Sequence, residues 1–226
     1  MQYACDALSH EDEAKLLTEL FDRFVPACMA FVQKGLVDGE MGEKLKLVIP
    51  ITDVDLVKQL CSCVDAFLPK IEGGPEFDAA DTEGTFIFGV LWSMGAALVG
   101  NSRIRFDAFL KKLGGSVPSD GTLYDYVYDP AIHGWEAWSA RVPDYVQPAP
   151  FKFYSIMVPT TDSVLGTFLL QKLAPLKPIL YVGESGTAKT LTIQNYMRSL
   201  DPEANLLLSL NMSSGTNSRD VQSNLE

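Results

Sequence analysis

The chain has 226 residues, with 18 Lys and Arg against 29 Asp and Glu and a formal net charge of −11. That length supports one large or two modest domains with a sizeable buried core, and 47% hydrophobic with 21% charged residues excludes a mainly disordered chain. The acidic balance argues against a nucleic-acid partner, which needs a basic face, but leaves open a nucleotide held by backbone N–H groups and one Lys.

The longest apolar stretch, Phe86 to Val99, has 14 residues and contains Gly89, Ser93 and Gly95. A bilayer needs roughly 20, so this reads as a buried helix and no membrane role is expected. Met1 to Glu13 carries Asp6, Glu11, Asp12 and Glu13 without a basic leader region, so no signal peptide is expected. Cys5, Cys28, Cys61 and Cys63 lack metal or redox spacing, with only His10 and His133 to join them. Structural, reduced cysteines in a cytoplasmic chain are the reading, with Cys61 on the apolar face of a helix.

The first third reads as helices. Leu17, Leu20, Phe21, Phe24, Val25, Cys28 and Val32 form one amphipathic stripe, which Pro26 should kink or split near Val25. Gly35 to Glu43 is turn-like. A second helix starts at Thr52 or Asp53, carries Val57, Leu60, Cys61, Val64 and Leu68 on one face, and stops before Pro69; Gly73, Gly74 and Pro75 mark a loop. The Phe86–Val99 helix should lie at the centre of this part. Ile104, Phe106, Phe109, Leu110 and Leu113 form a short helix ended by Gly114 and Gly115.

From Ser116 to Pro150 the 3.6-residue period is lost. Tyr124, Tyr126, Tyr128, Trp135, Trp138 and Tyr145 alternate with prolines, and short extended pieces are expected at Leu123–Tyr128 and Phe151–Val158. Without interleaved basic residues these aromatics read as the packing of a domain junction rather than a base-stacking platform. The last third is α/β. Val164, Phe168, Leu169 and Leu173 make a helix capped by Thr161 or Asp162. An apolar strand, Lys177–Val182, leads through a Gly-rich turn into a helix over Lys189–Leu200. A second strand at Leu206–Met212, a polar turn at Ser213–Asn217 and a terminal helix follow. A domain does not normally finish two strands into a parallel sheet, so neither of two modules is expected to be whole here.

The chemistry sits at Gly183, Glu184, Ser185, Gly186, Thr187, Ala188, Lys189 and Thr190. A phosphate-binding turn needs glycines so that backbone N–H groups can approach the anion, and the positive end of a helix behind them. It needs a Lys for the β- and γ-phosphates and an adjacent hydroxyl for Mg²⁺, here Lys189 and Thr190. The pattern asks for Gly before the Lys; this chain has Ala188, whose methyl bears on how tightly the loop closes. Hydrolysis further needs a carboxylate at the end of an apolar strand. Asp201, Glu203, Asp220 and Glu226 are the acids after Thr190, and none follows such a strand. They read as surface acids, so no catalytic residue is assigned and hydrolysis by this chain alone is not expected.

Ile179 through Thr190, then Gln194-Asn195-Tyr196 and Asn211 through Thr216, closely resemble axonemal dynein heavy chains at the start of the third AAA+ module of the motor ring. Upstream, Leu20 through Cys28, Phe88 through Gly95, Arg105 through Phe109, Asp125-Tyr126, Trp135, Trp138 and Val158-Pro159-Thr160 resemble the helical lid of the second module and the connection to the third. The resemblance implies an α/β chain with an all-α N-terminal part: lid over 1–115, aromatic-rich junction over 116–157, and the truncated start of a P-loop AAA+ parallel sheet over 158–226. It implies ATP or ADP with Mg at a regulatory site of a minus-end-directed microtubule motor. Gly183, Gly186, Lys189 and Thr190 would be the phosphate contacts, and Val158, Pro159 and Thr160 would lie near the adenine. Implied partners are the neighbouring AAA+ modules, dynein intermediate and light chains, and the microtubule, in the cytoskeleton of the ciliary axoneme. Leu165 departs from the family, which often has Arg there.

Two other readings stay open on the residues themselves. A small standalone P-loop kinase or ATPase would need an acid at the end of a third strand. A degenerate, non-catalytic interaction module would leave Lys189 without a ligand.

Overall fold

The computed structural model describes residues 11–68, 78–146 and 158–225. Cys5, His10, the Gly73–Pro75 loop, the extended piece expected over 151–157 and Glu226 lie outside the described residues. The first long helix, α1 (Glu11–Lys34), runs unbroken through Pro26, so of the expected kink or split the split does not occur. Pro26 removes one backbone hydrogen bond at a cost of about 3 kcal/mol. Against that, α1 buries Leu17, Leu20, Phe24, Val25, Cys28, Phe31 and Val32, each contributing about 1.5–3 kcal/mol if fully withdrawn from water. The buried stripe wins.

A two-residue hairpin, β1 (Leu36–Val37) and β2 (Glu40–Met41), fills the turn-like stretch. Helix α2 (Asp53–Phe67) starts at Thr52, whose hydroxyl accepts the Asp55 N–H at 3.3 Å. Its buried residues are Leu56, Leu60, Cys63, Val64 and Phe67, so the buried thiol is that of Cys63, with Cys61 half-buried beside it. The arc differs from the expected face because α2 packs against two partners. Leu56, Leu60 and Val64 join the main core, while Cys63 and Phe67 enter a second, aromatic cluster.

Helix α3 (Ala79–Met94), N-capped by Asp78, is buried on nearly every side and packs on α1 and α2. It starts well before the expected apolar run and stops at Met94 rather than Val99. At Gly95 the Tyr124 hydroxyl donates to the glycine carbonyl at 3.0 Å, and a Cβ there would sit 2.4 Å from that oxygen. The apolar residues beyond Gly95 turn to extended pairing, with Val48 N–H donating to Ala97 O at 2.8 Å and Leu47 facing Leu98. Helix α4 (Asn101–Leu113) buries Phe106, Phe109 and Leu110, ends at Gly114 with φ +88°, and leaves Ile104 exposed.

The aromatic region folds back on α3. A 3₁₀ turn at Leu123–Asp125 precedes strand β3 (Tyr126–Asp129), which pairs antiparallel with β4 (Gly134–Ala137). Tyr128 lies flat on α3: a Cβ on Gly84 would come within 2.1 Å of its ring, and its hydroxyl donates to Asp81 Oδ1 at 2.8 Å. His133 Nδ1 lies 2.8 Å from Asp81 Oδ2, tying the hairpin tip to the start of α3. Phe67, Phe88, Trp138 and Tyr128 make the aromatic cluster with Val127 and Cys63. Of the aromatics in this region, Tyr128 and Trp138 are buried in that cluster with Trp135 against it, Tyr124 packs on the main core, and Tyr145 is exposed.

Helix α5 (Thr161–Leu173) is capped by Thr160 rather than Thr161 or Asp162, with Ser163 returning the bond in a capping box. Leu165, with Val164, Phe168, Leu169 and Leu173, packs against the aromatic cluster. The P-loop part follows as helices α6 (Lys189–Ser199) and α7 (Ser218–Leu225). The two apolar segments expected as strands, Lys177–Val182 and Leu206–Met212, have no strand partner among the described residues. A parallel sheet is stable when helices cover both faces; here Leu180 is 73% and Leu206 99% exposed. The helical N-terminal part is present, and the described residues contain no parallel sheet. No helix among them is long and apolar enough to cross a membrane.

Candidate functional site

The turn from Gly183 to Ala188 joins the segment ending at Val182 to the first residue of α6, Lys189. Two of its residues hold left-handed backbone: Gly186 at φ +83° and Ala188 at φ +55°, ψ +15°. Glycine adopts this region freely, whereas an L-residue with a Cβ loses about 1–2 kcal/mol there. Ala188 is thus the physical reason the pattern asks for Gly before the Lys, and its methyl is accommodated under strain. It also occupies the N-cap position of α6, where it has no side chain to offer the helix.

Lys189 folds back over the turn. Its ammonium donates to the Glu184 carbonyl and, at 3.0 Å, to the Thr187 hydroxyl; Thr187 Oγ1 itself donates to the Glu184 carbonyl at 2.9 Å. The Lys189 stem passes over Gly183, where a Cβ would lie 3.7 Å from Lys189 Cδ, an ordinary contact. Gly186 faces open space, and Glu184, Ser185 and Thr190 are exposed. Gly183, Glu184, Thr187 and Lys189 are therefore brought together, with Thr190 one residue beyond on the first turn of α6.

The residues expected near a base are Val158, Pro159 and Thr160. Val158 is exposed, and the Thr160 hydroxyl is used in capping α5. Pro159 lines a cleft of about 390 Å³ with Trp138, Arg141, Pro143, Ser163 and Phe168, among others; no residue of the turn lines it. Arg141 is already bound to Glu136 and Asp129. Asp201 accepts the Glu203 N–H in a turn, and Asp220 accepts the Asn217 N–H at the start of α7, so these acids serve local structure.

One set of contacts was not evident from spacing. Gly166 on α5 touches both flanks of the turn: a Cβ there would lie 2.9 Å from the Tyr181 hydroxyl and 3.2 Å from Thr192 Cγ2. The Tyr181 hydroxyl donates to the Gly166 carbonyl at 2.7 Å, and burial pushes its pKa up to about 12. Thr192, 5% exposed, donates to the Ala188 carbonyl at 3.1 Å. A glycine inside an otherwise helical pattern is the signal that points to such a close approach.

Comparison with known proteins fits this layout. Residues 17–140 match the family model described as the dynein heavy chain AAA lid domain, and residues 145–226 match the P-loop containing dynein motor region. The chain is 38% identical to the human protein named dynein axonemal heavy chain 10 over 93% of its length. It is 35% identical over 95% to the Chlamydomonas reinhardtii dynein-1-alpha heavy chain of the flagellar inner arm I1 complex, and 31% over 95% to human dynein axonemal heavy chain 2. In each case it spans about 5% of the relative's length. A P-loop motor region is a nucleotide-binding architecture, and the turn at 183–188 lies within the residues that match it. On these matches the chain belongs to the dynein heavy chain family.

Proposed function

We propose that this chain contributes a lid, a junction and the start of a nucleotide-binding AAA+ module, over 1–115, 116–157 and 158–226, to an axonemal dynein motor. The turn Gly183–Thr190 binds the phosphates of ATP or ADP. Its backbone N–H groups and the N-terminus of α6 face the anion, and Thr190 ligates Mg²⁺. The carrying observation is the position of Lys189: its ammonium sits over the turn on two neutral oxygens, which phosphate oxygens can replace with charge-assisted bonds. Thr190 supplies the hydroxyl for Mg²⁺; Asp201 and Asp220 are used in local turns, and hydrolysis by this chain alone is not part of the reading. Val158, Pro159 and Thr160 are proposed for the base side of the site.

Within a whole heavy chain this site regulates a minus-end-directed microtubule motor of the axonemal cytoskeleton in cilia and flagella. Its partners there are the neighbouring AAA+ modules, dynein intermediate and light chains, and the microtubule, with no nucleic-acid or membrane partner. The test is a titration of fluorescent ATP and ADP with Mg²⁺ into the chain and into Lys189→Ala. Tight binding that falls at least about tenfold in the variant, or 1.4 kcal/mol, supports the reading. Equal affinity in both proteins overturns it and favours a non-catalytic interaction module.

A further inference from the structure

Helix α5 is held on two sides. Phe168 sits in the aromatic cluster, with ring centroids 5.3 Å from Trp138 and 6.2 Å from both Phe67 and Phe88. Gly166, two residues earlier and so roughly 200° around the helix, faces the other way. There it meets Tyr181, two residues before the turn, and Thr192, three residues after Lys189. The segment carrying Tyr181 has no strand partner among the described residues. The Tyr181–Gly166 hydrogen bond at 2.7 Å therefore stands where sheet pairing would otherwise fix the entry to the turn. On the exit side, Thr192 joins Gly166 to the carbonyl of Ala188, the residue in left-handed conformation.

We propose that Gly166, Tyr181 and Thr192 are positioning residues that seat both flanks of the 183–190 turn on α5, so that displacement of the lid's aromatic cluster is transmitted through α5 to the turn. The absence of a side chain at 166 is what permits the seat. A methyl there meets the Tyr181 oxygen at 2.9 Å and the Thr192 methyl at 3.2 Å, and one flank or the other has to move. For its functional meaning the proposal rests on nucleotide binding at this turn; its geometry does not.

The test is hydrogen–deuterium exchange on the 226-residue chain, read at residues 192–196, where the first amide bonds to Ala188 O at 3.0 Å. Gly166→Ala is expected to speed exchange there by about tenfold and Tyr181→Phe by about threefold. The double variant, which removes the oxygen that the methyl strikes, should lose less than Gly166→Ala alone. Phe168→Ala supplies the readout that lost packing alone would not give: it should speed exchange at 192–196 more than in α1, although its ring contacts lie in the lid cluster. Unchanged exchange at 192–196 in Tyr181→Phe and Gly166→Ala overturns the seat, and exchange at 192–196 in Phe168→Ala that rises no more than in α1 overturns the transmission. Fluorescent ATP titrated into the same proteins should bind more weakly in the order of their exchange rates. If exchange changes as stated and the parent chain binds no nucleotide, the seat stands and the nucleotide reading fails.

Discussion

The Phe168 ring meets Trp138 edge-on, with centroids 5.3 Å apart and planes at 66°. Trp138 belongs to the lid match and Phe168 to the P-loop match, so this aromatic pair is a joint between the two regions. Phe168 is only partly buried, which places its truncation below the full cost of a core Phe. Phe168→Ala is expected to destabilise the chain by about 2 kcal/mol. Urea unfolding followed by tryptophan fluorescence checks this; an unchanged midpoint would mean the joint holds without the ring.

Ala188→Gly should relieve the left-handed strain at φ +55°. After subtracting the larger unfolded-state entropy of glycine, the gain is about 0.5–1 kcal/mol. The expected outcome is a higher thermal midpoint together with several-fold tighter Mg-ADP binding. Weaker binding in a folded variant would show that the alanine shapes the turn in some other way.

Asp107 is 5% exposed and accepts the Leu123 N–H at 2.6 Å, with Lys111 Nζ at 3.2 Å from its other oxygen. It is the bolt between α4 and the start of the aromatic region. Asp107→Ala leaves a buried N–H without its acceptor and is expected to cost about 2–3 kcal/mol. Asp107→Asn keeps an acceptor and should cost less, a difference that denaturant midpoints resolve.

Burial raises the thiol of Cys63 from 9.0 to about 12 and pushes that of Cys28 higher still. Burial also raises Tyr181 from 10.0 to about 12. Each group binds its proton more tightly folded than unfolded, so its contribution to stability is complete below its unfolded pKa. That contribution is lost as pH climbs through the folded value. On account of these groups, stability should fall between about pH 9 and 12. Urea midpoints measured across that range check this. In the native protein near neutral pH, thiol reagents should leave Cys28 and Cys63 unmodified.

Much of the lid was legible because its period is strong. The stripe from Leu17 to Val32 and the cap at Thr52 are written in side-chain spacing and in one hydroxyl. Pro26 misled because a local rule was outweighed by seven buried residues on one face. Cys63 replaced Cys61 because a helix with two partners buries a wider arc than one stripe suggests. The turn was found from Gly186, Lys189 and Thr190, but the seat beneath it depends on contacts between residues 15 and 26 positions apart, Gly166 with Tyr181 and with Thr192. Spacing rules do not reach that far. The two apolar segments have strand composition; pairing, however, is a property of neighbours, and composition alone does not supply them.

Among the described residues, the segments at 177–182 and 206–212 have no strand partner, which also bears on how the chain behaves among copies of itself. Unpaired, apolar, extended backbone is a template for strand addition between molecules. A net charge of −11 keeps those templates apart by repulsion. That protection is electrostatic and short in range: in 1 M salt the Debye length shrinks to about 3 Å. Colloidal stability of this acidic chain should accordingly be greatest at low ionic strength, with salt, usually added to keep proteins in solution, driving it to associate.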